Sequence, residues 1–91
     1  MKVRWSPAAT ESFSEIVKYI RQQNPAAALR VAQSIYQAIG QLKKFPHRGR
    51  PGKIKGTREL VLPSLPFIVV YRINENMIEI ARVLHGAQRW P

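Results

Sequence analysis

Hydrophobic positions along this chain follow two different periods. Ala9, Phe13, Ile16, Val17 and Ile20 recur at helical spacing, so one apolar stripe is predicted on a helix from about Pro7 to Gln23. Ser6-Pro7 is a helix start, because the serine hydroxyl accepts from an early amide and proline occupies a first-turn position whose amide needs no partner. Asn24-Pro25 repeats that signal, and Leu29, Ala32, Ile35, Tyr36, Ile39 and Leu42 repeat the stripe. Two helices with almost no loop between them fold back as an antiparallel hairpin.

Beyond residue 57 the period shortens to that of strands. Phe67–Gly86 holds two runs rich in Val, Ile, Tyr and Phe around Asn74-Glu75-Asn76, which reads as a β-hairpin. With Glu75-Asn76 as a two-residue loop, Arg72 lies opposite Glu79, Val70 opposite Ala81 and Ile68 opposite Val83. The other face then carries Phe67, Val69, Tyr71 and Ile73 against Ile78, Ile80 and Leu84. Arg58–Leu62 is a further strand, broken by Pro63-Ser64-Leu65-Pro66, and Lys2–Trp5 is a short strand at the start. The expected fold is α+β: a short N-terminal strand, a two-helix hairpin, and a three-stranded antiparallel meander over residues 58–85, in one domain of residues 1–91. Both faces of the Phe67–Gly86 hairpin are largely apolar, yet one helical hairpin covers only one face of the meander.

Composition narrows the chemistry. Fifteen Lys and Arg stand against five Glu and no Asp, a net charge of +10. Such an excess favours polyanionic partners, whether nucleic acid, ribosome or an acidic protein. Lys43, Lys44, Arg48, Arg50, Lys53, Lys55 and Arg58 fall in one stretch without an acid, and residues 45–57 read as an irregular loop rich in Gly, Pro and basic side chains. The absence of Asp and Cys from the sequence removes a Ser-His-Asp triad and cysteine-ligated zinc, and no metal or cofactor is expected. No apolar run is long enough for a bilayer, and a cytoplasmic location away from membranes is expected. Glu59 and Glu79 form the available strand carboxylate pair, and their spacing suits cross-strand charge pairing as well as catalysis. Metal-free RNA cleavage by His85 with Arg82 and Arg58 stays open as an alternative.

The order of local strings resembles the RelE/ParE superfamily of toxins from bacterial type II toxin–antitoxin modules, over essentially the whole chain. The strings are Trp5-Ser6-Pro7-Ala8-Ala9, Phe45-Pro46 with Gly49-Arg50-Pro51, Arg58-Glu59-Leu60, Val69-Val70-Tyr71-Arg72 and Ile80-Ala81-Arg82-Val83-Leu84-His85-Gly86-Ala87. The resemblance implies a helical hairpin on a small sheet, a co-encoded antitoxin and a growth-arresting target. RelE-like members are ribosome-dependent mRNA nucleases with lysines and arginines on the helix-free face. Here Glu59, Val61 and Ile68 stand at those strand positions, and Gln88 stands where another arginine is expected. That departure moves the expectation towards ParE, whose better-known members inhibit DNA gyrase without being enzymes.

An apolar strip of Val61, Ile68, Val70, Ala81 and Val83, with Arg72 beside it, is expected to take up an acidic, ParD-like antitoxin segment. Arg82, His85, Gln88, Arg89 and Trp90 form the expected target-binding end. The basic loop residues Arg48, Arg50, Lys53, Lys55 and Arg58 are the expected contact should the partner be ribosome or nucleic acid.

Overall fold

The computed structural model of the chain describes residues 1–86 and 88. Its elements are β1 (Lys2–Trp5), α1 (Pro7–Gln23), α2 (Pro25–Gln41), β2 (Arg50–Pro51), β3 (Arg58–Val61), β4 (Phe67–Asn74) and β5 (Met77–His85). Both helix starts follow from their caps. The Ser6 hydroxyl accepts from the Ala9 amide at 3.0 Å, and the Asn24 side chain accepts from the Ala27 amide at 3.1 Å. Asn24 also ends α1, its own extended backbone donating N–H to the Ile20 carbonyl at 2.8 Å. A single residue thus closes one helix and opens the next, which forces the hairpin.

The sheet has five strands in the order β1-β5-β4-β3-β2, and it is mixed: β1 runs parallel to β5, all other pairs antiparallel. The expected meander is therefore its centre, extended by β1 on one edge and by the two-residue β2 on the other. Pro51 sits on the outer edge strand, where a missing amide costs the ladder least. Ile35, Ile39 and Leu42 from the helical side meet Leu60, Leu62, Phe67, Val69, Tyr71, Ile78 and Ile80 in the core. Trp5, Phe13 and Tyr36 join β1, α1 and α2 through ring centroids 5.1–5.4 Å apart.

The hairpin loop forms as the sequence requires, with Asn74 opposite Met77 and Glu75 at φ 52. Arg72 opposite Glu79 also holds. Beyond that pair the register slips by one at a bulge between Val70 and Tyr71, so Val70 pairs with Arg82 and Ile68 with Leu84. The expected pairs Val70–Ala81 and Ile68–Val83 are not made, because Ala81 is the extra residue. A one-residue insertion moves every later side chain to the other face. Val83 consequently joins the core at 1% exposure, and Leu84 lies across from Ile68.

Ser6, which caps α1, and Ser12 within it hold the bulge. Where β1 ends, the Ser6 amide donates to the Ile80 carbonyl at 2.9 Å and the Ser6 hydroxyl to the Ala81 carbonyl at 2.9 Å. The Ser12 hydroxyl accepts from the Val83 amide at 3.0 Å and donates to the Ala9 carbonyl at 3.0 Å. The cap residue and one helix side chain thereby satisfy strand groups that β1 is too short to reach.

Candidate functional site

The helix-free face of the sheet is built in three cross-strand rows. The first is apolar: Val61, Ile68 and Leu84 lie in register. The second is mixed, with Glu59, Val70 and Arg82. The third is charged, with Arg72, Glu79 and Arg4. Exposure grades the rows differently from the alternation. Val61 is 49% exposed and Ile68 half-buried, whereas Val70 is at 0% and Glu59 at 5%.

A carboxylate that deep needs partners. Arg50 supplies them, its Nε and Nη2 donating to Glu59 Oε1 at 3.2 and 3.0 Å. In the charged row the carboxylate of Glu79 goes to Arg4, at 2.8 Å, on the neighbouring parallel strand. Glu79 and Glu59 are thus each engaged by its own arginine, on strands separated by β4.

The basic loop is tied down by the strand it leads into. Buried Tyr71 donates its hydroxyl proton to the Pro46 carbonyl at 2.6 Å and accepts from the Gly49 amide at 2.9 Å. A methyl group on Gly49 would lie 2.7 Å from that hydroxyl and 3.0 Å from the Glu59 carbonyl, so only glycine fits. Arg58 donates to the carbonyls of His47, at 3.1 Å, and Gly49. Arg48 bonds Gln41 and lies 5.2 Å over the Phe45 ring. Of the five expected loop cations, Arg48, Arg50 and Arg58 thus hold the loop, while Lys53 and Lys55 stand exposed.

Among the catalytic candidates, Arg58 pairs with Tyr71 and His85 with Phe67. Those partners are separated along β4 by about 13 Å at the rise of an extended strand. The structure does not bring Arg58 to His85. It does bring Arg82, His85 and Gln88 together, as walls of a groove of about 500 Å³ shared with Ile16, Tyr19 and Leu65. Gln88 accepts from the His85 amide at 2.6 Å, and the His85 ring meets Phe67 edge-on at 5.8 Å. Arg89 and Trp90, the remaining members of the expected target-binding end, lie outside the described residues. Tyr19 and Leu65 were not among the expected site residues. Tyr19 carried a signal all the same: it is a large aromatic outside the apolar stripe of α1, and it is 65% exposed.

Of the expected antitoxin strip, Val61, Ile68 and Ala81 keep surface, and Arg72 is half-buried. Val70 and Val83 do not belong to it. The first is fully enclosed and the second packs in the core after the bulge turns it inward. Among the described residues, no three His, Cys, Asp or Glu side chains gather as metal ligands, and no helix is long and apolar enough to cross a membrane.

With this architecture in place, the family follows. The family model for the ParE toxin of type II toxin-antitoxin systems, parDE, matches residues 3–90. The chain belongs to the ParE toxin family. It is 44% identical to Y4kP of Sinorhizobium fredii, over 99% of this chain and 93% of that protein. It is also 32% identical to toxin RelE2 of Caulobacter vibrioides, over 96% and 97% respectively. Among solved structures, the chromosomal ParDE system of P. aeruginosa superposes with a TM-score of 0.86 at 26% identity, covering 93% of this chain and 95% of that one. This ParE-family chain is a type II toxin of the RelE/ParE superfamily, with two helices on a five-stranded mixed sheet.

The strings that carry the family likeness are largely the residues that hold this fold. Ser6 caps α1 and binds Ala81, Pro46 and Gly49 bind Tyr71, Arg50 binds Glu59, and Arg58 binds Gly49.

Proposed function

We propose that this toxin arrests growth by binding, as a ParE-like inhibitor of DNA gyrase, and that an acidic antitoxin neutralises it on the helix-free face. One observation carries the reading: among the described residues, Arg58 and Arg50 are turned away from any phosphate and do not join Arg82 and His85. Arg58 is spent on loop carbonyls and Arg50 on Glu59, and the exposed row of the helix-free face is aliphatic. A metal-free ribonuclease requires a base near the 2′-hydroxyl and converging cations on the phosphate. Val61 and Ile68 offer neither.

The antitoxin surface is accordingly narrower than the alternation implied. Val61, Ile68 and Ala81 provide apolar contact, with Arg72 alongside for acidic side chains. The similarity of the fold to a toxin held in a ParDE system supports such a partner. The groove of Arg82, His85, Gln88 and Tyr19 is the target-binding end.

Purified toxin added to gyrase should inhibit supercoiling of a relaxed plasmid, and Tyr19→Ala or Arg82→Ala should weaken inhibition. Full supercoiling at saturating toxin would refute gyrase as the target.

A second reading has its own support. Arg82 and His85 share one groove, and RelE2 is a toxin of RelE name. In that reading His85 and Arg82 act on ribosome-bound message without Arg58, and the exposed Lys53 and Lys55 contact the nucleic acid.

A further inference from the structure

The two helices differ in a way that packing within one chain does not explain. α1 carries Glu11, Glu15, Lys18 and Arg21, as a solvated helix in a charged protein would. α2 carries one charge in 17 residues, Arg30, and every other exposed position on it is uncharged. Two of these are large: Leu29 is 61% exposed and Tyr36 55%. They are seven residues apart, hence on one side of the helix and about 10 Å apart along it.

Gly40 belongs to the same side, and a methyl group there would meet nothing within 4 Å. Neither a positive φ nor a close neighbour in its own chain requires glycine, although glycine costs a helix about 1 kcal/mol relative to alanine. The aromatic contacts with Trp5 and Phe13 hold Tyr36 in place, so this surface is ordered in advance.

We infer that the outer face of α2 is a self-association surface, on which a second copy of this chain packs antiparallel about a two-fold axis near Gln33. In that arrangement Leu29 of each copy meets Tyr36 of the other, and Ala26 meets Gly40, small against small. Charge selects the occupant. A chain of net +10 repels its own copy over most of its surface, and contact is tolerable only where charge is missing. An acidic partner gains more from the cationic surfaces elsewhere. Interface cores are depleted of charge and enriched in aromatics, as this face is.

The size of the surface sets the strength. A helix of this length is about 25 Å long, so the strip offers well under the roughly 800 Å² per partner of a stable complex. The dimer is therefore weak and dependent on concentration, and it holds whichever target the toxin binds. Salt gives it a signature. Screening the like-charge repulsion strengthens this association, whereas contacts of a cationic chain with an acidic partner weaken.

Sedimentation equilibrium of the full chain tests the inference. The apparent mass should rise from 10.4 kDa towards twice that value with concentration, and rise further at high salt. Leu29→Lys should weaken the dimer by about tenfold or more, as for a central apolar anchor, while the thermal midpoint stays put. Because the natural chain lacks cysteine, Gln33→Cys should give a disulfide-linked dimer on mild oxidation and Lys18→Cys should not. A monomer at every concentration and salt, or a dimer indifferent to Leu29→Lys, overturns the inference. So does a Leu29→Lys chain that loses its antitoxin instead, which would assign the face to that partner.

Discussion

The two faces of β4 share one strand and obey different rules. On the helix side Phe67, Val69 and Tyr71 sit in a continuous apolar core, and each position follows from strand alternation. On the other side Ile68, Val70 and Arg72 alternate just as regularly, yet their exposure runs from half-buried to none and back, with buried Glu59 across from Val70. A core face is fixed by what covers it. An uncovered face is decided by neighbours on adjacent strands: a bulge at Ala81, an arginine reaching from β2, a parallel strand from the N-terminus. Alternation therefore reads the first face well and the second poorly.

Substitutions on the two faces should separate accordingly. Ile80→Ala empties a fully enclosed core position and should cost about 2–5 kcal/mol in chemical denaturation, against under about 1 kcal/mol for Ile68→Ala. Equal losses would erase the distinction. Tyr71→Phe keeps the ring but strands the Gly49 amide and the Pro46 carbonyl, for about 1–3 kcal/mol. Its amide exchange should quicken selectively around residues 46–50. Next in size, Arg50→Ala leaves Glu59 buried without its guanidinium. Because the arginine itself is largely exposed and screened, about 1–2 kcal/mol is expected, below the 3–5 kcal/mol of a fully buried pair. On the partly exposed face, Ile68→Asp should leave the chain folded with a cooperative thermal transition and still abolish co-purification with the antitoxin. Retention of the complex would remove the proposed docking surface. Val70→Asp cannot serve that purpose, since a charge at its fully enclosed position would unfold the chain.

Much of this architecture was legible in the sequence, and the reasons are local. Ser6-Pro7 and Asn24-Pro25 mark both helix starts because capping is a matter of one side chain and one nearby amide. The Glu75-Asn76 loop and the register that sets Arg72 opposite Glu79 follow from a short polar break between strands, although the Glu79 carboxylate pairs with Arg4. What escaped is non-local. Ala81 carries no mark of a bulge; its extra residue is stabilised by Ser6 and Ser12, some seventy residues earlier in the chain. β2 is two residues long and exists because Arg50 meets Glu59 and Tyr71 anchors Gly49.

The site was read with the same bias. Arg82, His85 and Gln88 are close in sequence and meet in one groove, but Tyr19 arrives there from α1 and Arg58 is held elsewhere. The same reasoning explains why family membership and target come apart. Residues that identify the family make caps, clamps and turns, and those are needed whether a toxin binds gyrase or cuts message.

Whether this toxin binds or cuts is tested most directly by mapping mRNA ends after it is induced in cells without its antitoxin. Growth should stop in the wild type while its messages remain uncut. New ends at ribosome-occupied codons that vanish in the His85→Ala chain would contradict the binding account and establish the nuclease.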